Sequence, residues 1–387
     1  MKEGKGAYGT VFSSPRLPLL HETLERIQSR DEVSKVFLSY RDYYNEVTRY
    51  TSLHNNYDFP YNLFCHSIDH GRISKHEIQY HECVYNDEWS NGDDVYREAT
   101  HQIIYPRGRD IFSLSNFSEY MVYFEKIIQT VEFFSHHHLV FDDFKNQNLL
   151  FLDDRVVVSD YSSIVPLDDF MNPSTFYQSN FKSRYYYIHS PVLNSLLCKA
   201  LRNEDPSYTY ASIEKSYIRY IHQIMFSTIP SNFVYRQSYT VFLNEVEVDI
   251  HVELTGDDIK ELLLEFFCRS FQPSVQKEPN YYRLYYIVLL FQKHYSNYPS
   301  KTEMIEETVE RSHIHSIGIM LFEAMYKFNI SQANISQAKD KESDICIEAL
   351  HLAIYCCLQY VEWKGKTVLL FPRLEFIRSY YQQHFSS

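Results

Sequence analysis

Glycine is scarce in this chain, nine in 387 residues, against roughly 7 % in ordinary soluble proteins. Three of the nine nonetheless stand at positions 4, 6 and 9. Cysteine offers no framework: the seven residues, at 65, 83, 198, 268, 346, 356 and 357, form no CxxC pair and no metal-type spacing. An odd, scattered set argues against a disulfide scaffold and reads as a reducing, intracellular compartment. Long hydrophobic runs are missing too. The longest, Tyr285 to Phe291, is far short of the roughly 20 residues a bilayer demands, and Met1-Lys2-Glu3-Gly4 lacks the apolar core of a signal peptide. Basic charge is in deficit, 37 Lys and Arg against 50 Asp and Glu for a net −13, which excludes a general phosphate-backbone binder. The expectation is a chain without membrane or nucleic-acid partners.

What is plentiful is aromatic side chains, 35 Tyr and 27 Phe, within a composition 44 % hydrophobic and 22 % charged. That excludes disorder and, at about 100 to 200 residues per domain, suggests two or three folding units. Residues 1 to about 105 read as short strands around one helix. Thr10-Val11-Phe12, Val33 to Leu38 and His101 to Tyr105 are β-prone, and Tyr43 to Leu53 has helical spacing. From Phe117 the period changes: Tyr120, Phe124, Ile127, Ile128, Val131 and Phe134 form one face of a long helix ending in His136-His137-His138. Three consecutive histidines point in different directions, so they read as a helix boundary and not as a metal site. Leu149 to Leu152 and Val156 to Val158, separated by Asp153-Asp154-Arg155, read as a hairpin. Farther on come a helix from Ile213 to Phe226, one alternating strand-like run from Val241 to Val252, a helix capped by Asp257, and a helix around Tyr282 to His294. The tail reads as helix over Ser312 to Tyr326 and Ser343 to Tyr360, with a break at Pro372.

Gly4-Lys5-Gly6-Ala7-Tyr8-Gly9-Thr10-Val11 has the form GxGxxGxV. A dinucleotide fingerprint must follow a strand and open a helix. Here only three residues precede Gly4 and β-prone residues follow Gly9, so the string fits a hairpin folded over phosphates, where glycine permits close backbone approach. A glycine-containing surface turn is the alternative. Downstream, Val33-Ser34-Lys35-Val36 presents a lysine on a strand, and Glu46 follows in the next helix. Phe141-Asp142-Asp143-Phe144-Lys145-Asn146-Gln147-Asn148 places a Lys two and an Asn five residues after an Asp, and Val158-Ser159-Asp160-Tyr161-Ser162 follows the hairpin.

In this order the motifs resemble those of the eukaryotic-like protein kinase family. The resemblance implies an α+β, two-lobed fold: a small β-rich N-lobe over 1–106 and a larger helical C-lobe over 107–387, with 195–310 as an insertion. It implies that Gly4, Gly6, Gly9 and Val11 bind ATP, that Lys35 holds the α and β phosphates, and that Glu46 orients Lys35. Asn148 and Asp160 would bind Mg²⁺ through amide and carboxylate oxygens. Asp143 would accept the proton of a substrate hydroxyl, and Lys145 would steady the γ-phosphate. A lysine at 145 is similar to the Ser/Thr-specific class acting on protein substrates. Ile103-Ile104-Tyr105-Pro106-Arg107-Gly108-Arg109 resembles the hinge, Tyr187-Ile188-His189-Ser190-Pro191 the end of the activation segment, and Ser316 to Leu321 the buried helix of the large lobe.

Supporting positions depart from the family pattern: Phe141 stands for its His, Asp142 for its Arg, Ser162 for its Gly, Val192 for its Glu and His313 for its buried Asp. A carboxylate at 142 would repel a phosphate on the activation segment, so activity that needs no phosphorylation between Asp160 and Pro191, at Thr175 or a nearby Ser or Tyr, is one expectation, and a merely solvated Asp142 the other. Tyr185-Tyr186-Tyr187 read as packing residues. The departures keep open a pseudokinase or ATP-binding scaffold whose insertion binds a partner protein; a small-molecule phosphotransferase would generally lack the lysine after the catalytic Asp. Low Gly with abundant Tyr, Phe, Asn and Ile marks an AT-rich genome, and the chain resembles divergent kinases of large DNA viruses, which implies the host cytoplasm or the virion. The short lead before Gly4 implies a start farther upstream or a stunted edge strand.

Overall fold

The structure is a computed structural model describing residues 2–5, 9–13, 19, 22, 31–37, 39–73, 101–141, 143–160, 164–171, 215–243, 246–264, 300–330, 335 and 341–386. The architecture is mixed α+β. In chain order its first elements are β1 (Lys2–Lys5), β2 (Gly9–Ser13), β3 (Glu32–Phe37), α1 (Tyr40–Tyr57), β4 (Asp69–Arg72), β5 (His101–Pro106) and β6 (Arg109–Asp110). There follow α2 (Phe117–His136), β7 (Leu139–Phe141), β8 (Leu149–Leu152), β9 (Arg155–Val158), β10 (Ile164–Pro166) and α3 (Leu167–Met171). The remainder are α4 (Lys215–Thr228), β11 (Val234–Leu243), β12 (Val246–Thr255), α5 (Gly256–Leu264), α6 (Lys301–Lys327), α7 (Lys341–Cys357), β13 (Tyr360–Trp363), β14 (Lys366–Leu369) and α8 (Leu374–Phe385). Among the described residues no helix is long and apolar enough to cross a membrane.

The chain forms two compact units, Met1–Ile111 with Gln147–Ser162, and Phe112–Asn146 with Ser163–Ser387. The first is built on an antiparallel sheet of order β1-β2-β3-β5-β4. Strand β1 pairs with β2 through Lys2, Gly4 and Lys5, Gly4 opposite Val11, with an irregularity between Lys2 and Gly4, so a short edge strand leads into the glycine segment. Helix α1 starts where Ser39 accepts the Asp42 amide, an N-cap with an acid in the first turn. Its buried side carries Tyr43, Glu46 and Leu53, and Tyr43 joins Phe37, Cys65, Ile103, Tyr105, Leu152 and Val157 in one core. The β8–β9 hairpin closes through Asp153 and Asp154, both at positive φ, 47° and 59°. That is the turn a two-residue hairpin favours, in a conformation Asp tolerates better than most residues.

The second unit is organised around α6, whose residues 311–325 are buried on every side. Helix α2 lays Phe117, Tyr120, Phe124, Ile128, Val131 and Phe134 inward, the 3.6-residue pattern of an amphipathic helix. Close approach of α6 to α7 depends on Gly318: a Cβ there would sit 2.5 Å from Cys357 Sγ and 2.9 Å from the Ala353 carbonyl.

Several sequence expectations are corrected. The run from Val241 to Val252 is not one strand but the junction of β11 and β12, which pair antiparallel from Val234↔Thr255 to Leu243↔Val246; the apolar positions change parity there, odd at Val241 and Leu243 and even from Val246 to Val252, as that register requires of residues sharing one face. The cap of α5 is Thr255 and not Asp257, because the Thr255 hydroxyl accepts the Asp258 amide while Asp258 accepts the Thr255 amide, at 3.3 and 2.8 Å. Helix α6 begins at Lys301, eleven residues before Ser312, behind an N-cap at Ser300. Helix α7 ends at Cys357, and Tyr360 opens the β13–β14 hairpin across Lys364-Gly365. Gly6, Asp142, Ser162, Thr175, Tyr185 to Tyr187, Pro191, Val192 and the expected helix at 282–294 lie outside the described residues.

Candidate nucleotide and phosphoryl-transfer residues

Lys35 stands on the central strand β3, with Val11 of β2 opposite it on one side and Ile103 of β5 on the other. Its Nζ donates to both oxygens of Glu46, at 2.8 and 2.7 Å. Glu46 lies in the middle of the buried side of α1, only 5 % exposed, where a carboxylate is tolerated only if paired and hydrogen-bonded. Tyr105 completes the arrangement by donating its hydroxyl to Glu46 Oε1 at 3.2 Å. Burial by itself would lower the Lys35 ammonium, but Glu46 and then Asp160 outweigh it and hold Lys35 above its ordinary value. Burial lifts the Glu46 carboxyl, Lys35 opposing and Asp160 adding to the rise. Asp160 therefore acts on both members of the pair.

Asn148 and Asp160 are brought to the same end of a hairpin by its register. Leu149 pairs with Val158, so the residues just outside the pair, Asn148 and Ser159, face one another; the Ser159 amide donates to the Asn148 carbonyl at 2.9 Å and its hydroxyl to the same oxygen at 3.2 Å. The strand before Asp160 is also clamped, with Cys65 N donating to Val158 O and Val158 N to Leu63 O, both at 2.8 Å. An amide and a carboxylate side chain follow these fixed points, and hard oxygen donors of that kind suit Mg²⁺, which retains waters and substrate oxygens in its remaining positions. Among the described residues no group of three or more His, Cys, Asp and Glu side chains could hold a metal ion. In the segment after β5, Gly108 permits close passage over β8, since a Cβ there would lie 2.7 Å from Leu150 Cβ. Gly4 lies in β1, Gly9 opens β2 and Val11 follows it.

In the second unit Asp143 and Lys145 follow β7. Lys145 Nζ donates to Asp143 Oδ1 at 2.7 Å, each side chain 26 % exposed. The loop that carries them is anchored from below. The Phe141 amide donates to His313 Nε2 at 3.1 Å, which requires a neutral ring with its proton on Nδ1. The Phe141 ring packs against Phe134 and Phe144, at 5.5 and 5.6 Å between centroids, and the Phe134 ring lies 5.5 Å from that of His313. Next along, Asn146 is fully buried and bonded to Tyr120, Met320 and Glu323.

All the sequence-selected residues that the structure describes therefore fall into two groups: Gly4, Gly9, Val11, Lys35, Glu46, Asn148 and Asp160 in the first unit, Asp143 and Lys145 in the second. The sequence motifs contain Tyr105 and Asn146 without giving either side chain a role, and they do not reach Glu323. For Glu323 the signal was there, a lone acid inside the apolar run Leu321-Phe322-Glu323-Ala324-Met325. At His136 to His138, α2 ends at His136, and His138 at φ 51° places its Nδ1 3.0 Å from Glu306. No family model matches the chain, and no curated protein matches it.

Proposed function

We propose that the chain is a two-lobed protein kinase transferring the γ-phosphate of ATP to Ser or Thr hydroxyls of protein substrates. The observation that carries the reading is the Lys35–Glu46 pair, a strand lysine chelated by a buried helix carboxylate and subject to the field of Asp160. An ammonium so fixed is a ready counter-charge for nucleotide phosphates, and fixing it beforehand avoids reorganisation when substrate binds. Asn148 and Asp160 would hold Mg²⁺, which supplies neutralisation of phosphate charge when bound. Asp143 would take the proton of the attacking hydroxyl, and Lys145, already on that carboxylate, would balance charge on the transferred group.

Two departures from the family pattern have a physical compensation that supports the reading. With His313 in place of a carboxylate, the backbone of Phe141 still finds a buried acceptor, and with Phe141 in place of histidine the loop gains aromatic packing. The test is titration of the full chain with Mg²⁺ and ATP, followed by phosphoamino-acid analysis of an acceptor protein. Phosphoserine or phosphothreonine that disappears with Lys35→Met is expected. ATP binding without transfer would favour a nucleotide-binding scaffold instead.

A further inference from the structure

Helix α4 lies in the stretch 195–310, for which the kinase resemblance offers no counterpart, yet one of its side chains is bonded into the support of the Asp143–Lys145 loop. Tyr220 Oη donates to Glu323 Oε1 at 2.7 Å. The other oxygen of that carboxylate accepts Asn146 Nδ2 at 2.9 Å. Asn146 Nδ2 also donates to the Met320 carbonyl at 3.0 Å, while its Oδ1 accepts the Tyr120 hydroxyl at 3.0 Å. Asn146 directly follows Lys145 and has no exposed surface. Both polar atoms of its amide are engaged, so its rotamer is fixed, and with it the backbone leaving Lys145.

The chain of bonds depends on two hydroxyls remaining donors. Burial, and after it the charge of Glu323, pushes Tyr120 and Tyr220 well above the ordinary tyrosine range. Removing the Tyr220 hydroxyl takes a donor from a carboxylate that is only 5 % exposed, and a buried acceptor short of a partner carries a desolvation penalty. A turn of the carboxylate that relieves it also changes what Asn146 meets.

We propose that Tyr220 is a positioning residue for phosphoryl transfer: through Glu323 it sets the rotamer of Asn146 and so the placement of Lys145 and Asp143. The consequence for catalysis rests on the kinase reading, whereas the geometric coupling does not. Part of the stretch 195–310 is then a component of the catalytic support.

The test compares Tyr220→Phe with Gln223→Ala in the full chain. Gln223 joins the same two helices one turn farther on, through a 2.6 Å bond to the Tyr326 hydroxyl, and is not bonded to Asn146. Two quantities are read: amide hydrogen exchange over residues 139–146, and kcat and KM for ATP. Tyr220→Phe should raise exchange over 139–146 and lower kcat by about 10²-fold, the scale on which misplaced catalytic groups act, with KM for ATP within twofold. Gln223→Ala should change neither. Unchanged exchange over 139–146 in Tyr220→Phe overturns the proposal, and so does an equal effect of Gln223→Ala, which would reduce Tyr220 to helix docking. A wild-type chain that transfers no phosphate refutes the kinase reading, and the exchange comparison still decides whether Tyr220 holds the loop.

Discussion

Lys35 and Glu46, eleven residues apart, meet with both carboxylate oxygens within 2.8 Å of one ammonium, on a strand and a helix of the same unit. The helix buries the acid because positions 43, 46 and 53 share its inner side, and the strand delivers the base that makes this burial tolerable. Replacing Lys35 by Met should therefore strand a buried carboxylate and cost about 3 kcal/mol of stability, measured by denaturant unfolding, in addition to weakening ATP binding. A loss below about 0.5 kcal/mol, the scale of an exposed pair, would mean that the pair is not structural.

The same pair sets a pH dependence. Because burial raises the Glu46 carboxyl, it takes up a proton at a higher pH than an ordinary glutamate, and the neutral acid no longer holds the ammonium. The ratio of wild-type to Glu46→Gln affinity for an ATP analogue cancels the ligand's own titration. It should stand above one at pH 7.5 and fall toward one on acidification, beginning above the ordinary carboxylate value of 4.5. A ratio constant down to pH 4.5 would contradict the assignment.

His313 should matter through one atom. His313→Leu leaves the buried Phe141 amide without this acceptor and should cost about 1 to 3 kcal/mol, whereas His313→Gln, which can offer an oxygen at the Nε2 position, should recover part of the loss. Equal melting temperatures for wild type and His313→Leu would remove the anchor from the account.

His66 provides an independent check on the first unit. Its ring stacks on Tyr61 at 3.8 Å between centroids, and burial, followed by the charge of His54, pulls its pKa down to about 4. The folded chain therefore resists protonation there, while the unfolded chain takes up a proton near pH 6.5. Between about pH 6.5 and 4 the unfolded state binds more protons, so stability falls as the pH falls. His66→Phe should lessen that slope while retaining the stack; an unchanged slope of melting temperature against pH would refute it.

Gly318→Ala tests the contact between α6 and α7. The added Cβ meets a backbone carbonyl and a cysteine side chain that are both buried, so a destabilisation of about 2 kcal/mol is expected on overpacking grounds, read by thermal melting. A neutral or stabilising effect would show that the helices can part without loss.

Much of this was legible in the sequence because local signals and tertiary needs agreed. The apolar period over Phe117 to Phe134, the Asp153-Asp154 turn between short β runs, and the lysine on a Val-rich strand each specify their own geometry. What was not legible depended on partners distant in the chain. Tyr105 meets Glu46 across 59 residues and Asn146 meets Glu323 across 177, and no local period reports such a pair. The β11–β12 hairpin left a signal, the change of parity between Leu243 and Val246, that reading the stretch as one run passed over, whereas the β13–β14 hairpin was hidden because Tyr360 and Val361 extend the apolar pattern of α7 past its end.

The proposal of phosphoryl transfer is tested most directly by incubating the full chain with Mg²⁺, an acceptor protein and ATP labelled in the γ position, beside Asp143→Asn. The expected result is label on serine or threonine with wild type, and a rate lower by about 10² or more with Asp143→Asn, the scale of a lost general base, at unchanged ATP affinity. Wild type that binds ATP but transfers no label, or Asp143→Asn that transfers at the wild-type rate, would contradict it.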